Sequence, residues 1–325
     1  MICSAQVAKA HNAMAMEYDI IHDLWYPHLL NTIHDFIITH LPNQNNKTAL
    51  DVGCGTGLQS LLLAHAGYKV KGFDLADKLI DVALLKTSQL DSHGKNMPQL
   101  YKSPQIKNKL TQMALLKAAS KLRQGPIIKP DFFVADATSE ESYYPGNFDV
   151  IVCCGSVLSF IDKYDQVLAI ISGALRKGGL LFLEVEHRFS LDLLWPLIDI
   201  FLHGALGYRR SFREVIKTLA PCSQEPPKIV FPFFLSTGEC LDLPMRLFST
   251  NCLSPLFKKH GLKEKARLGI HSITNIIPST ILHKQKCGKI LKITFAGLST
   301  LEKKLNDKWP CWKLGSSIMY ALEKN

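Results

Sequence analysis

Asp51-Val52-Gly53-Cys54-Gly55-Thr56-Gly57 is the stretch whose residue types and spacing bear most directly on chemistry. Alternating glycines permit the positive φ of a tight turn and leave no Cβ to hold a ligand away from the backbone. Ala49-Leu50 leads in as a strand and Leu58 to Ala66 follows as a helix, the corner at which open α/β sheets hold nucleotides. A tight turn that holds no ligand is the alternative. Asp74 closes a second apolar run, Tyr68 to Asp74, about twenty residues on, where such a site puts the acid that accepts hydrogen bonds from ribose hydroxyls. Asp136 closes a third run, Pro130 to Ala137. Taken singly, an apolar strand ending in Asp is ordinary α/β architecture. Two histidines follow later strands, His187 in Glu184-Val185-Glu186-His187-Arg188 and His271 in Gly269-Ile270-His271-Ser272. Imidazole titrates near neutrality and suits a general base, with plain hydrogen bonding as the other reading. Glu186 is a candidate partner for an amine.

The order of these pieces carries more than any one of them. The spacing D-x-G-x-G-x-G differs from the G-x-G-x-x-G of dinucleotide enzymes, and it resembles motif I of the class I S-adenosylmethionine-dependent methyltransferases. Phe148 to Ser156 resembles that family's motif IV, the fourth strand, whose end faces the reacting methyl group. Leu175 to Val185, with Gly178-Gly179, resembles its helix end, glycine turn and fifth strand. Together the resemblance covers roughly residues 49 to 186. It implies an α/β, Rossmann-like fold: a seven-stranded, mostly parallel sheet with helices on both faces and the last strand antiparallel. It implies S-adenosyl-L-methionine as cofactor, held by Asp51, Gly53, Cys54, Gly55, Gly57, Asp74, Asp136, Ala137 and Cys154. Asp136 would lie near the adenine amino group and the Ala137 N–H near an adenine ring nitrogen. Tyr18-Asp19 and Trp25-Tyr26 resemble the lid that small-molecule members carry ahead of motif I, with Tyr18 over the cofactor; anchoring of lid helices to the core explains the same aromatics.

These groups need elements to position them. Residues 1–47 read as lid helices, 48–187 as the cofactor-binding core, 188–256 as an acceptor-binding insertion and 257–325 as the rest of the sheet, all within one domain. Residues 88–129 form a basic insertion in the core, a loop over Asp91–Pro104 and a helix over Lys107–Leu122. Trp195, Phe201, Tyr208, Phe231, Phe233 and Phe234 give the acceptor insertion an apolar character. Leu253–His260 reads as a helix, Leu262–Leu268 as the sixth strand, Lys289–Asn306 as a long helix and Leu314–Leu322 as the seventh strand.

Bulk properties narrow the class. The 325-residue chain is 47% apolar, enough for a full core. Its nine cysteines show no metal-ligand spacing, and an odd count without a framework points to reduced thiols in a cytoplasmic protein. Cys153-Cys154 reads as small buried fillers, not nucleophiles. The first residues lack the basic flank and apolar core of a signal peptide. Leu191–Leu206 reads as an amphipathic or buried helix; contact with lipid is the weaker reading, since basic residues do not accompany it. The net charge of +10 favours anionic partners. Without interleaved aromatics or an appended RNA-binding module, it reads as a solvated basic face. The expected function is methyl transfer to an O, N or C atom of a small organic acceptor with an apolar body. An RNA methyltransferase using the basic insertion and a non-catalytic binder of the cofactor are the alternatives.

Overall fold

The computed structural model describes residues 2–42, 47–88, 128–208, 211–219, 225–234 and 240–325. The basic insertion therefore lies outside the described residues except at its ends, and with it the expected loop at Asp91–Pro104 and helix at Lys107–Leu122.

Two helices come first, α1 (Ser4–Met14) and α2 (Trp25–His40), with a short turn at Tyr18–Ile20 between them. Strand β1 (Thr48–Val52) leads through the glycine turn into α3 (Leu58–His65), then β2 (Lys69–Asp74), α4 (Asp77–Ser88) and β3 (Asp131–Val134). Next are β4 (Phe148–Cys153), α5 (Tyr164–Ala174) and β5 (Leu175–Glu186). The insertion that follows holds α6 (Leu194–Phe201), α7 (Phe212–Leu219) and an antiparallel pair, β6 (Lys228–Phe234) with β7 (Cys240–Arg246). The chain finishes with α8 (Thr250–Lys259), β8 (Leu262–Ile270), α9 (Lys289–Leu305) and β9 (Ser317–Lys324).

Seven strands form one sheet in the order β3-β2-β1-β4-β5-β9-β8. Pairings among the first five are parallel, and β9 runs antiparallel to both β5 and β8. The order reverses at β1 and β4, so the carboxyl ends of these neighbours open a crevice between connections that leave in opposite directions. Alternate residues of each strand feed opposite layers. Leu50, Val52, Ile151 and Leu183 pack on one face of the sheet, while Ala49, Val70, Val152 and Phe182 meet α2 and α3 on the other.

Several boundaries differ from the sequence reading: the last strand starts at Ser317 and not Leu314, α8 starts at Thr250 and not Leu253, and the helix expected over Leu191–Leu206 is confined to Leu194–Phe201 after a short turn. The largest change is at β5. Leu175-Arg176-Lys177 is not the end of α5 but already part of β5: Phe148 pairs with Leu175 and Val150 with Leu180, so the extra residues bulge. Gly179 is required there, because a Cβ would sit 2.9 Å from the Arg176 carbonyl oxygen.

Candidate functional site

The glycine turn is built by close approach. At Gly53, φ is +67° and a Cβ would lie 2.3 Å from a methyl of Val157; at Gly57, φ is +82° and a Cβ would lie 2.7 Å from the Phe132 ring. The first glycine thus lets the loop after β4 come near, and the second seats α3 against β3. Between them the Gly55 N–H donates to Asp74 Oδ2 at 2.9 Å, while the Ala76 N–H donates to Oδ1 at 2.8 Å. Asp74 is fixed by backbone on both oxygens, and each keeps acceptor capacity for a ligand. Asp136 is held similarly: Oδ1 accepts from the N–H and the hydroxyl of Thr138, both at 2.8 Å.

These groups face a cavity of about 300 Å³. Gly53, Cys54, Gly55, Asp74, Asp136 and Ala137 line it, with Cys154 and Gly155 at the end of β4. Val7, Leu29, Leu30, Ile33 and Phe160 add apolar lining. Tyr18 and Tyr26 line it too, edge to face at 5.5 Å between ring centroids. Burial, and then the charge of Asp74, drives the Tyr18 phenol well above its usual range, so it is a neutral donor.

The N-terminal segment is fastened at two places. Below the Tyr18–Ile20 turn, the wholly buried Lys86 of α4 meets Asp19 at 2.5 Å and the Thr56 carbonyl at 3.0 Å, while the Thr56 hydroxyl donates to Asp19 at 2.6 Å. Burial lowers the Lys86 ammonium, and Asp19 acts against that. At the far side, Asp162 accepts from the Ile2 N–H at 2.6 Å, Lys228 at 2.6 Å and Arg246 at 2.8 Å. It thereby joins the N-terminal segment to β6 and β7.

A family profile for the methyltransferase domain matches residues 25–226, from the start of α2 to just ahead of β6. The chain belongs to the methyltransferase domain family. Ubiquinone biosynthesis O-methyltransferases of Burkholderia vietnamiensis (strain G4 / LMG 22486) and Paraburkholderia xenovorans (strain LB400) are each 25% identical to it, over 187 and 190 residues. Each match takes in 55% of this chain and 65% of the relative, so this chain spans just under two thirds of those proteins. In fold it is similar to the [4+2]-cyclase SpnF, with a TM-score of 0.53 and 15% identity over 99% of this chain and 97% of that one.

The cofactor of this methyltransferase-family member is S-adenosyl-L-methionine. The cavity fits it in size and in charge. It reaches the size of small-molecule sites, and the carboxylates of Asp74 and Asp136 suit a molecule that is cationic overall and carries hydroxyl and amino donors. More carboxyls stand behind the end of β4. Glu184 accepts the Gly155 N–H at 2.9 Å and the Ser156 N–H at 2.6 Å, and the Ser156 hydroxyl donates to Glu186 at 2.8 Å. Burial raises both glutamates, and the charge of Glu184 adds to the rise at Glu186.

The structure gathers Gly53, Cys54, Gly55, Asp74, Asp136, Ala137, Cys154 and Tyr18 around the cavity. Asp51 and Gly57 are not on its wall. The Asp51 carboxylate is buried and accepts the Ser60 hydroxyl at 2.6 Å, with burial pushing it up to about 7. It braces α3 from beneath the turn. Neither predicted histidine lines the cavity either. Buried His187 has its Nδ1 3.2 Å from the Gly315 carbonyl, and its backbone N–H donates to the Ser316 carbonyl at 2.7 Å. Burial pulls its ring down to about 4. His271 is fully buried, stacked on Trp25 at 3.6 Å, with Nδ1 2.9 Å from the Thr274 hydroxyl. Burial holds it well below the usual imidazole range. One therefore stitches the end of β5 to the start of β9, and the other docks the first residue of α2.

Sequence reasoning missed His11. Its ring lines the cavity from α1, edge-on to Phe160 at 5.7 Å, with Nδ1 2.8 Å from the Val7 carbonyl. Its position next to the lid aromatics was a faint signal; Lys86 gave none. The apolar insertion also differs from expectation. The Trp195 N–H donates to the Asn275 carbonyl, the Tyr208 hydroxyl donates to Asp192, and Phe201 stands 79% exposed. The side chains of Phe231, Phe233 and Phe234 lie outside the described residues.

Proposed function

We propose that the chain transfers a methyl group from S-adenosyl-L-methionine to a small organic acceptor with an apolar body. One observation carries the reading: one cavity is lined both by the carboxylates of Asp74 and Asp136 and by the apolar side chains of Leu29, Leu30, Ile33 and Phe160. In this reading Asp74 holds the ribose hydroxyls, Asp136 with the Ala137 N–H holds the adenine, and the Gly53–Gly55 backbone takes the methionine end. When bound, the cofactor supplies a methyl group on a sulfonium as electrophile. Tyr18 and Tyr26 exclude water and help keep the acceptor at attack distance.

Where the acceptor must lose a proton, His11 is the base this reading assigns, in place of His187 and His271. A carbonyl only accepts, so its contact with Val7 puts the ring proton of neutral His11 on Nδ1 and the lone pair on Nε2. Cys54, Cys153 and Cys154 are raised by burial and stay thiols, which speaks against covalent attack. Eight free cysteines among the described residues support a cytoplasmic setting. No helix among them is long and apolar enough to cross a membrane.

The test is methyl transfer from labelled cofactor into cell extract, fractionated into organic-soluble metabolites, polar metabolites, RNA and protein. Label is expected in a small-molecule fraction. Label confined to RNA would overturn the acceptor class, and cofactor binding with no label in any fraction would favour a silent binder. Asp74→Ala is expected to weaken cofactor affinity by about ten- to a hundredfold, the scale of losing hydrogen bonds to a charged group. Calorimetric titration with S-adenosyl-L-homocysteine measures this directly.

A further inference from the structure

The long helix α9 is apolar on two sides. Its underside is Phe295, which packs with Leu24 and Leu282, and the wholly buried Glu302, which meets the His28 ring at 2.8 Å and accepts the Thr274 N–H at 2.9 Å. Ile290, Ile293 and Leu301 stand in solvent instead, 83%, 64% and 48% exposed. Ile293 and Leu301 follow Ile290 by three and eleven residues, which puts all three on one face of the helix. Gly297 falls between them, and a Cβ there would meet nothing within 4 Å, so the face is open at its middle. The 17 residues of α9 rise about 25 Å, a long footprint for a surface helix.

Charge indicates what meets this face. Lys289, Lys292, Lys303 and Lys304 of α9 are all exposed, and the one acid of the helix is the buried Glu302. Lys292 pairs with Asp23 at 2.7 Å, and Lys303 lies 3.8 Å from Asp35. Lys289 and Lys304 have no acidic partner among the described residues. Helical spacing sets Lys289 beside Ile293, four residues on, and Lys304 beside Leu301, three residues back. Cations therefore flank the apolar face at both of its ends. Past the helix, Asp307 is followed directly by Lys308. A second copy of the chain is the poorer occupant, because a symmetric contact would set these lysines against each other on molecules that each carry +10. A nucleic-acid strand would meet the lysines but offer nothing to three aliphatic side chains, since bases stack on aromatic ones.

We propose that α9 docks this methyltransferase-family chain onto an anionic lipid surface. The helix lies in the plane of the interface: Ile290, Ile293 and Leu301 enter the boundary between headgroups and acyl chains, and Lys289 and Lys304 meet lipid phosphates. Beneath it, His28 of α2 contacts Glu302 and Ser299 of α9, while Tyr26, Leu29, Leu30 and Ile33 of α2 line the cavity. The docked face is thus one helix removed from the cofactor cavity, and the proposal does not depend on which acceptor is methylated.

The experiment is co-sedimentation of the chain with phosphatidylglycerol–phosphatidylcholine vesicles and with vesicles of phosphatidylcholine alone. Binding is expected to be at least about tenfold stronger to the anionic vesicles and to weaken as salt is raised. Two double variants separate the apolar and the charged parts. Ile290→Glu with Ile293→Glu removes the apolar contact, and Lys289→Gln with Lys304→Gln removes the cations; each pair should weaken vesicle binding about tenfold or more. All four positions are exposed, so thermal unfolding and titration with S-adenosyl-L-homocysteine should stay as in the parent. Equal sedimentation with both vesicle types, or binding that survives either double variant, would overturn the proposal. So would a parent that binds no vesicles, whether it instead retains single-stranded RNA on a filter or forms a dimer, seen by light scattering, that the isoleucine variant dissolves.

Discussion

At the scale of single residues, the N-terminal segment is constrained by a charge taken fully out of water. Lys86 and Asp19 are both buried, and the Thr56 carbonyl and hydroxyl complete their hydrogen bonding. Such a pair is costly to desolvate, so its removal as a unit is far less damaging than removal of one partner. Lys86→Met should destabilise the fold by about 3–5 kcal/mol, because Asp19 is left buried without its counterion. Adding Asp19→Leu should recover part of that loss, and urea unfolding of the parent, the single and the double variants measures both effects. Cofactor affinity should fall in Lys86→Met as well, since Asp19 adjoins Tyr18 and Thr56 belongs to the glycine turn.

At the scale of elements, Asp162 is where three segments meet. The Ile2 N–H, Lys228 of β6 and Arg246 of β7 all donate to it. Burial would raise this carboxyl, but the hydrogen bonds of Lys228, Ile2 and Arg246 outweigh it and hold the group at about 2. A depressed carboxyl contributes stability above its unfolded value, and that contribution is lost as pH falls toward 2. Asp162→Asn removes the charge with little change in shape. Amide hydrogen exchange over α1 should then quicken by about tenfold at neutral pH while β1 and β4 stay protected. Unchanged exchange in α1 would show that its other ties, such as the Asn12 side chain to Asp77 at 2.5 Å, suffice to hold the helix.

At the scale of the whole molecule, buried titratable groups shape stability against pH. Burial lowers His22, His65 and His187 to about 4 and His34 to about 3, and it lowers His271 and His283 too. From about pH 6.5 down, the unfolded chain takes up protons these six rings refuse, so stability falls with acid. Three carboxyls work the other way. Asp51, raised to about 7, Glu184, and Glu186, raised to about 8, hold protons in the folded state that the unfolded chain releases. Their contribution is present at low pH and is lost as pH rises through those values. Six groups outweigh three below pH 6.5 and only the carboxyls change above it, so stability should peak near pH 6.5. Urea midpoints from pH 5 to 8.5 check the peak. Glu186→Gln should flatten the alkaline side, and His34→Leu, which removes a ring with both nitrogens buried and unpartnered, should ease the acid side.

The seven-stranded sheet with its antiparallel last strand, and several of the residues that line the cavity, were legible in the sequence because local chemistry announces them. The turn at Gly53–Gly57, the acid closing β2 and the acid closing β3 announce themselves by residue type and by their distance along the chain. Those signals also placed Asp51 and Gly57 at the cofactor, but a residue's spacing does not say which way it faces. Asp51 turned toward Ser60 and Gly57 toward Phe132, in the layer beneath the loop. His187 and His271 stood after the right strands, yet contacts with Gly315 and Trp25 took them out of reach of the cavity. His11 reached the cavity only because α1 folds back over the carboxyl ends of strands that follow it in the chain. The outward face of α9 was equally hidden, since its apolar spacing is the same whether that face looks inward or out. Its direction was decided by Phe295 and Glu302, which turned inward to meet Leu24 and His28. Motif and period are properties of neighbours in sequence; burial and facing are properties of contacts between distant segments, and those existed only once the chain had folded.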